Sequence, residues 1–383
     1  MGIYSEYLDS SFDWATLQKE RKKQLLRISQ LRDGKDIFTF ASALTKQADI
    51  SIDYSDRVPI IDQISNLEGD KIDIILETPG GYAEVVEDII KYIRNRFSEV
   101  TMIVPGYAKS AGTIMVMAGD EILMEPASTL GPIDAQMLQG GKRFSAHAFL
   151  EGLEKIKQEV QERGYLNRAY VPILQNISPG EIQNCENAQA FSKKLVTDWL
   201  SEYKFKFWET HLSTGEPVTV NDKKTRAEEI AKKLCDHGHW LTHGASITIN
   251  DLREMRLKVT DFSGDTELFD AISRYYILLK MSFDTTNIFK IYETPNSQIY
   301  RFVIPQVSIA PQQMPNMAVI EFECPNCKTK TKIQANLKEG VPIQKGSVPF
   351  PKDNVFMCPA CNNRNDLSTL RNQIESQSKK KIV

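Results

Sequence analysis

The sequence predicts an α/β fold in which a largely parallel sheet is buried between helices, followed by a small cysteine-bound module. Three observations carry this. Short apolar runs alternate with helical periodicity from Asp36 onward, the turns between them are rich in Gly and small residues, and four of the six cysteines fall in two Cys-x-x-Cys pairs near the carboxyl end.

Each element follows from its local pattern. Residues 14–32 place Trp14, Leu17, Leu25, Leu26 and Ile28 among dense charges, which reads as a solvated helix ahead of the main domain. Residues 72–76 (Ile-Asp-Ile-Ile-Leu) are strand-like and Thr78-Pro79-Gly80-Gly81 is a turn. Val85, Val86, Ile89, Ile90, Ile93 and Phe97 then share one helix face. A second strand at 100–104, the small-residue turn at 106–112, the apolar segment 114–118 and a short strand at 122–125 complete the series. Strand, helix and strand at this spacing signal right-handed crossover units. Residues 147–163, 190–212, 225–235 and 266–281 carry helical spacing, the last opened by Asp265 or Thr266, and a helix start is expected near Asn250. Residues 284–322 read as a linker with some strand, and 371–383 as a basic flexible tail.

Composition limits the function classes. The chain has 383 residues, with 47 Lys and Arg against 50 Asp and Glu, so a strongly basic nucleic-acid binder is disfavoured. The length supports two or three folding units and excludes a small disulfide-stapled scaffold. No apolar run approaches the roughly 18 residues needed to span a bilayer, and the amino terminus lacks a basic region followed by an apolar stretch. The expectation is a cytoplasmic protein with no membrane partner.

Cys324-Pro-Asn-Cys327 and Cys358-Pro-Ala-Cys361 are separated by 30 residues. Each pair offers two thiolates from one tight turn, and two such turns complete a tetrahedral shell with no open position. All-sulfur ligation selects zinc, in a structural role. The segment resembles a zinc ribbon, a module that in many proteins docks onto nucleic acid or another protein. Lys328, Lys330, Lys332 and Arg364 lie on it, although a few such charges are ordinarily a solvated face.

Ser110 lies between a strand and a helix, where a serine is more often a helix cap than a nucleophile. Its neighbours Ala111 and Gly112 let backbone approach closely, so an oxyanion formed there would meet the amide of Ala111. The Gly80-Gly81 turn offers a second donor.

These motifs, with Leu-Gly-Pro-Ile-Asp-Ala-Gln at 130–136 and Trp-Leu-Thr-His at 240–243, resemble the ClpP/crotonase superfamily and within it the serine dehydrogenase proteinase family, relatives of signal peptide peptidase A. The resemblance covers roughly residues 36–283, behind an N-terminal helical segment (1–35) and ahead of the ribbon (323–370). It implies repeated ββα units, a serine endopeptidase activity on protein or peptide substrates, and a homo-oligomer. It places Ser110 as nucleophile and Gly80, Gly81 and Ala111 at the oxyanion hole. Asp134 and His243 complete a triad whose order, Ser, Asp, His, is swapped relative to ClpP.

Rival readings remain at this point. His237 or His239 could replace His243 as base, a dyad could use Lys142, Lys155 or Lys157, and Asp134 could be a turn residue after Pro132. A crotonase-type enzyme acting on acyl-coenzyme A would share the fold but normally lacks a serine at this helix start. A silent adaptor recruiting partners through the ribbon is the third class.

Overall fold

In the computed structural model, residues 1, 11, 140, 212–213 and 304–315 lie outside the description that follows. The chain divides into two compact units, Met1–Ile304 and Pro305–Val383.

The first unit runs α1 (Ile3–Asp9), α2 (Trp14–Leu31), β1 (Asp36–Ser42), α3 (Arg57–Ser65), β2 (Lys71–Glu77), α4 (Ala83–Arg96) and β3 (Glu99–Val104). Next come β4 (Tyr107–Ala108), α5 (Ala111–Val116), β5 (Glu121–Met124), β6 (Thr129–Leu130) and the β7–β8 hairpin (Gln136–Gln139 and Lys142–Ser145). Helices α6 (Ala146–Arg163), α7 (Val171–Leu174), α8 (Pro179–Trp199), α9 (Val220–Leu234), α10 (His237–Trp240) and α11 (Ile249–Glu254) follow. The unit closes with β9 (Thr260–Asp261), α12 (Thr266–Thr285), β10 (Ile288–Glu293) and β11 (Gln298–Phe302).

Seven strands form a mixed sheet in the order β11-β10-β1-β2-β3-β5-β9. β1, β2, β3, β5 and β9 are parallel neighbours, and β10 and β11 join antiparallel. Successive side chains of a strand face opposite sides, and here both sides are covered. Phe38, Phe40, Ile72, Ile74, Leu76, Val100 and Met102 pack into one layer with α4 and α5, while Ile37, Ala41, Ile75, Ile103 and Leu123 pack into another with α2 and α12. Double coverage is why these strands read as continuous apolar runs.

Several elements differ from the sequence expectation. Helix α2 is not solvated: Leu17, Arg21, Leu25 and Ile28 are buried against α12 and the sheet, with Arg21 Nε 2.9 Å from Glu293 Oε1. Helix α8 starts earlier than expected because Ser178 and Glu181 form a capping box, and it ends in a wide turn at Leu200–Lys204 rather than continuing to 212. Thr219 and Asp222 likewise start α9 ahead of the expected 225. Within 284–322, β10 and β11 are strands of the main sheet, held by the buried Lys290 on Asp56 and by Glu293 on Arg21.

The second unit holds β12 (Met317–Glu323), β13 (Lys330–Asn336), β14 (Ser347–Pro349), β15 (Val355–Met357), β16 (Arg364–Asp366) and α13 (Ser368–Ser378). Its core gathers Ile333, Ala335, Leu337, Phe350, Phe356, Leu367 and Ile374. The expected flexible tail at 371–383 is instead docked: Ile374 is buried, and the Val383 amide donates to Asn336 O at 2.9 Å. The charge of this segment hid Ile374, one helical turn from Leu370, and Ile382, which both pack on the module's core. The architecture is therefore an α/β fold with a mixed sheet between helical layers and a four-cysteine module.

Candidate active site and metal centre

Ser110 occupies the tight turn between β4 and α5 with φ 51° and ψ −119°, and its side chain caps no helix amide. That backbone region is unfavourable for a residue bearing Cβ. The capping role that a serine usually plays at a helix start is thus vacated, and the hydroxyl is left free of protein partners among the described residues. The Ala111 amide opens α5 without an intrahelical acceptor.

The turn after β2 is fastened beside it. The Thr78 amide donates to Tyr107 O at 2.8 Å and the Lys109 amide to Thr78 O at 3.0 Å. Gly80 has φ +100°, and a Cβ there would lie 2.7 Å from Ser110 Cβ and 3.0 Å from the Ala111 nitrogen, so the space in front of the serine exists because residue 80 has no side chain. Gly81 meets a different constraint: its Cβ would fall 2.2 Å from Ile52 O, on the strand-like pairing of Ile52 with this turn.

Asp134 lies on the segment leaving β6, which is locked to the serine helix by Thr113. Thr113 Oγ1 accepts from the Gly131 amide at 2.9 Å and sits 2.8 Å from Ala108 O. The Ile133 amide donates to Leu234 O at 2.9 Å, and Leu130 pairs antiparallel with Ile247, four residues after His243. The Asp134 side chain is fully buried. Its Oδ1 is 2.6 Å from His243 Nδ1, its Oδ2 3.0 Å from His237 Nδ1, and Gln136 Nε2 donates to Oδ2 at 2.9 Å. Burial alone would raise the Asp134 carboxyl, but the bonds from His243 and Ser145 and the nearby His237 outweigh it and hold the group below the ordinary carboxylate range.

The fold thus brings Gly80 and Ala111 to Ser110, and His243 to Asp134. His239 stands edge-on against Trp240 at 4.7 Å and, among the described residues, is not one of the Asp134 hydrogen-bond partners. Lys155 and Lys157 are exposed and ion-paired with Glu151 and Glu154 on α6, and Lys142 is exposed on β8, so none of the three meets the desolvation a lysine base requires. Two features escaped the sequence reading. One is the second imidazole bond to Asp134, and the other is Lys109, whose ammonium reaches the His243 loop; only its adjacency to Ser110 marked it in the sequence.

In the second unit, the sulfurs of Cys324, Cys327, Cys358 and Cys361 all lie within 4.8 Å of one another. The 324–361 and 327–358 pairs are 3.7 and 3.6 Å apart, against about 3.8 Å for the edge of a tetrahedron with ~2.3 Å Zn–S bonds. Both turns share one design. The amide after the second cysteine donates to the carbonyl of the first at 2.9 Å, from Lys328 and from Asn362, and both residues have positive φ near 60°. The four cysteines form a structural metal site whose donor chemistry fits zinc.

No helix among the described residues is long and apolar enough to cross a membrane. Two curated relatives are uncharacterised proteins of Methanocaldococcus jannaschii. MJ1495 is 30% identical over 188 residues, 49% of this chain and 51% of its own length. MJ0137 is 27% identical over 269 residues, 68% of this chain and 79% of its own. The chain therefore spans about half the length of the first. Among solved structures, the 1510-N membrane-bound stomatin-specific protease is similar at 18% identity over 56% of this chain and 74% of that chain, with a TM-score of 0.31. The ClpP protease catalytic domain of Plasmodium falciparum is similar at 13% identity over 54% and 78%, with a TM-score of 0.29. The family model of ClpP-like SDH-type serine proteinases matches residues 15–222. The chain belongs to the ClpP-like SDH-type serine proteinase family.

Proposed function

We propose that this protein is a serine peptidase in which Ser110 attacks the peptide carbonyl, His243 takes its proton and Asp134 orients the imidazole. The observation that carries the reading is the 2.6 Å contact of His243 Nδ1 with a carboxylate that is itself buried. With Nδ1–H donated to Asp134, Nε2 is the nitrogen left to act as base. The acyl carbon bonds to Ser110 Oγ as the proton passes to Nε2. The imidazolium then protonates the leaving amine, and water repeats the sequence to free the acid. The oxyanion would be met by the amides of Ala111 and Gly81, with Gly80 keeping the space open.

In this reading β3–β4–α5 is one of the repeated ββα units of a ClpP/crotonase fold, with β4 and β6 forming the small sheet beside the main one. The reading includes a homo-oligomer in a reducing compartment such as the cytoplasm, the latter supported by a thiolate metal site in a chain with few other cysteines. The ribbon supports zinc and leaves protein or nucleic acid as its partner.

Hydrolysis of casein by the purified chain tests the proposal. The wild type should release peptides, and a folded Ser110→Ala variant should lose roughly a thousandfold or more of that rate. Equal rates would overturn it.

A further inference from the structure

Lys109 directly precedes Ser110 and touches each segment that builds the site. Its backbone amide donates to Thr78 O at 3.0 Å, and its carbonyl accepts from the Gly112 amide at 2.8 Å. Its aliphatic stem crosses Gly131, where a Cβ would lie 2.7 Å from Lys109 Cδ and 3.4 Å from its Cα. Its Nζ then donates to Ala245 O at 3.0 Å and to Ser246 Oγ at 3.1 Å, two and three residues beyond His243.

No carboxylate among the described residues pairs with this half-buried ammonium, whose partners are a carbonyl and a hydroxyl of the loop after His243. Burial pushes its pKa down. The loop it holds has little else of its own: Ala245 and Gly244 bond only locally to Thr242, and Ile247 pairs with Leu130 further on. Asp134 fixes His243 from one side, and Lys109 fixes the chain after it from the other.

We infer that Lys109 is a positioning residue that sets the distance from the His243 imidazole to Ser110 by fastening the 243–246 loop to the serine's own turn, and that residue 131 is glycine so that the lysine stem can pass. This rests on the serine-peptidase reading above. It differs from a lysine base, because the ammonium acts as a donor to the loop and takes no proton from the serine.

The test uses the full chain with a fluorophosphonate probe, resolving the binding constant from the bond-forming rate constant, together with amide hydrogen exchange. Lys109→Met keeps the stem and removes the donors. It should lower the bond-forming rate constant by roughly tenfold or more, since misplacement of about 1 Å can cost a hundredfold, while binding of the probe stays within about twofold. Exchange over 241–247 should rise. Lys109→Arg, which can donate to the same two oxygens, should recover most of the rate. Gly131→Ala, which pushes the stem aside, should repeat the Lys109→Met effect. Wild-type rate and protection in Lys109→Met would overturn the inference alone. Failure of the probe to label Ser110 in the wild type would instead overturn the reading on which it rests.

Discussion

His243 Nδ1 sits 2.6 Å from Asp134 Oδ1, and Asp134 is held from its other oxygen by His237 and Gln136. A carboxylate gripped on both oxygens cannot rotate, so the imidazole it orients has one orientation as well. The bond also joins two segments more than a hundred residues apart, the turn after β6 and the loop between α10 and α11.

This contact makes stability depend on acid pH. The folded-state pKa of Asp134 lies below its unfolded value, which is about 3.9, so its contribution is full above that value and is lost as pH falls through the lowered folded one. Urea denaturation of wild type and Asp134→Asn should therefore show a stability difference that is present at about pH 5 and narrows below about pH 4. A difference that persists undiminished at pH 3 would show that the ionised carboxylate is not what stabilises the fold.

Ser110 pays for its exposure with backbone strain. At φ 51° and ψ −119°, glycine is at ease and serine is not, by roughly 1–3 kcal/mol. Ser110→Gly should be more stable than the wild type in thermal unfolding while inactive. A destabilised Ser110→Gly would mean that the hydroxyl makes a structural bond.

The two glycines of the turn should separate in function. Gly80→Ala places its methyl 2.6 Å from the Lys109 carbonyl oxygen, 2.7 Å from Ser110 Cβ and 3.0 Å from the Ala111 nitrogen, so it should suppress reaction at the serine beyond whatever stability it costs. Gly81→Ala drives its methyl into Ile52 backbone and should lower stability first. Denaturation midpoints alongside labelling rates distinguish them; the opposite assignment would contradict the geometry of the turn.

Parts of this site were legible because chemistry demanded residue types at short spacing. The Gly pair, Ser110 and both Cys-x-x-Cys turns stand out as local patterns, and strands β2, β3 and β5 stand out because both of their faces are buried. Other features were invisible because they depend on long-range partners. Arg21 looks like one more charge on a solvated helix until Glu293, from a strand 272 residues later, neutralises it in the core. Lys290 was likewise hidden within an apparent linker until Asp56 met it. Lys109 carries no signal of its own, since its partners are a carbonyl and a hydroxyl in a loop that no periodicity places beside it.

The four-cysteine module should hold one zinc per chain. Because binding and folding of such a module are coupled, chelation should raise hydrogen exchange across 317–367 and leave the seven-stranded sheet protected. Cys324→Ser combined with Cys361→Ser should abolish zinc. Retention of a full equivalent would contradict the site.

The most direct measurement is mass-spectrometric mapping of a fluorophosphonate adduct on the full chain, with the labelling rate compared between wild type and His243→Ala. The account predicts a single adduct on Ser110, absent in Ser110→Ala and slowed by roughly a thousandfold in His243→Ala. An adduct on another residue, or labelling of Ser110 that proceeds at the wild-type rate without His243, would contradict it.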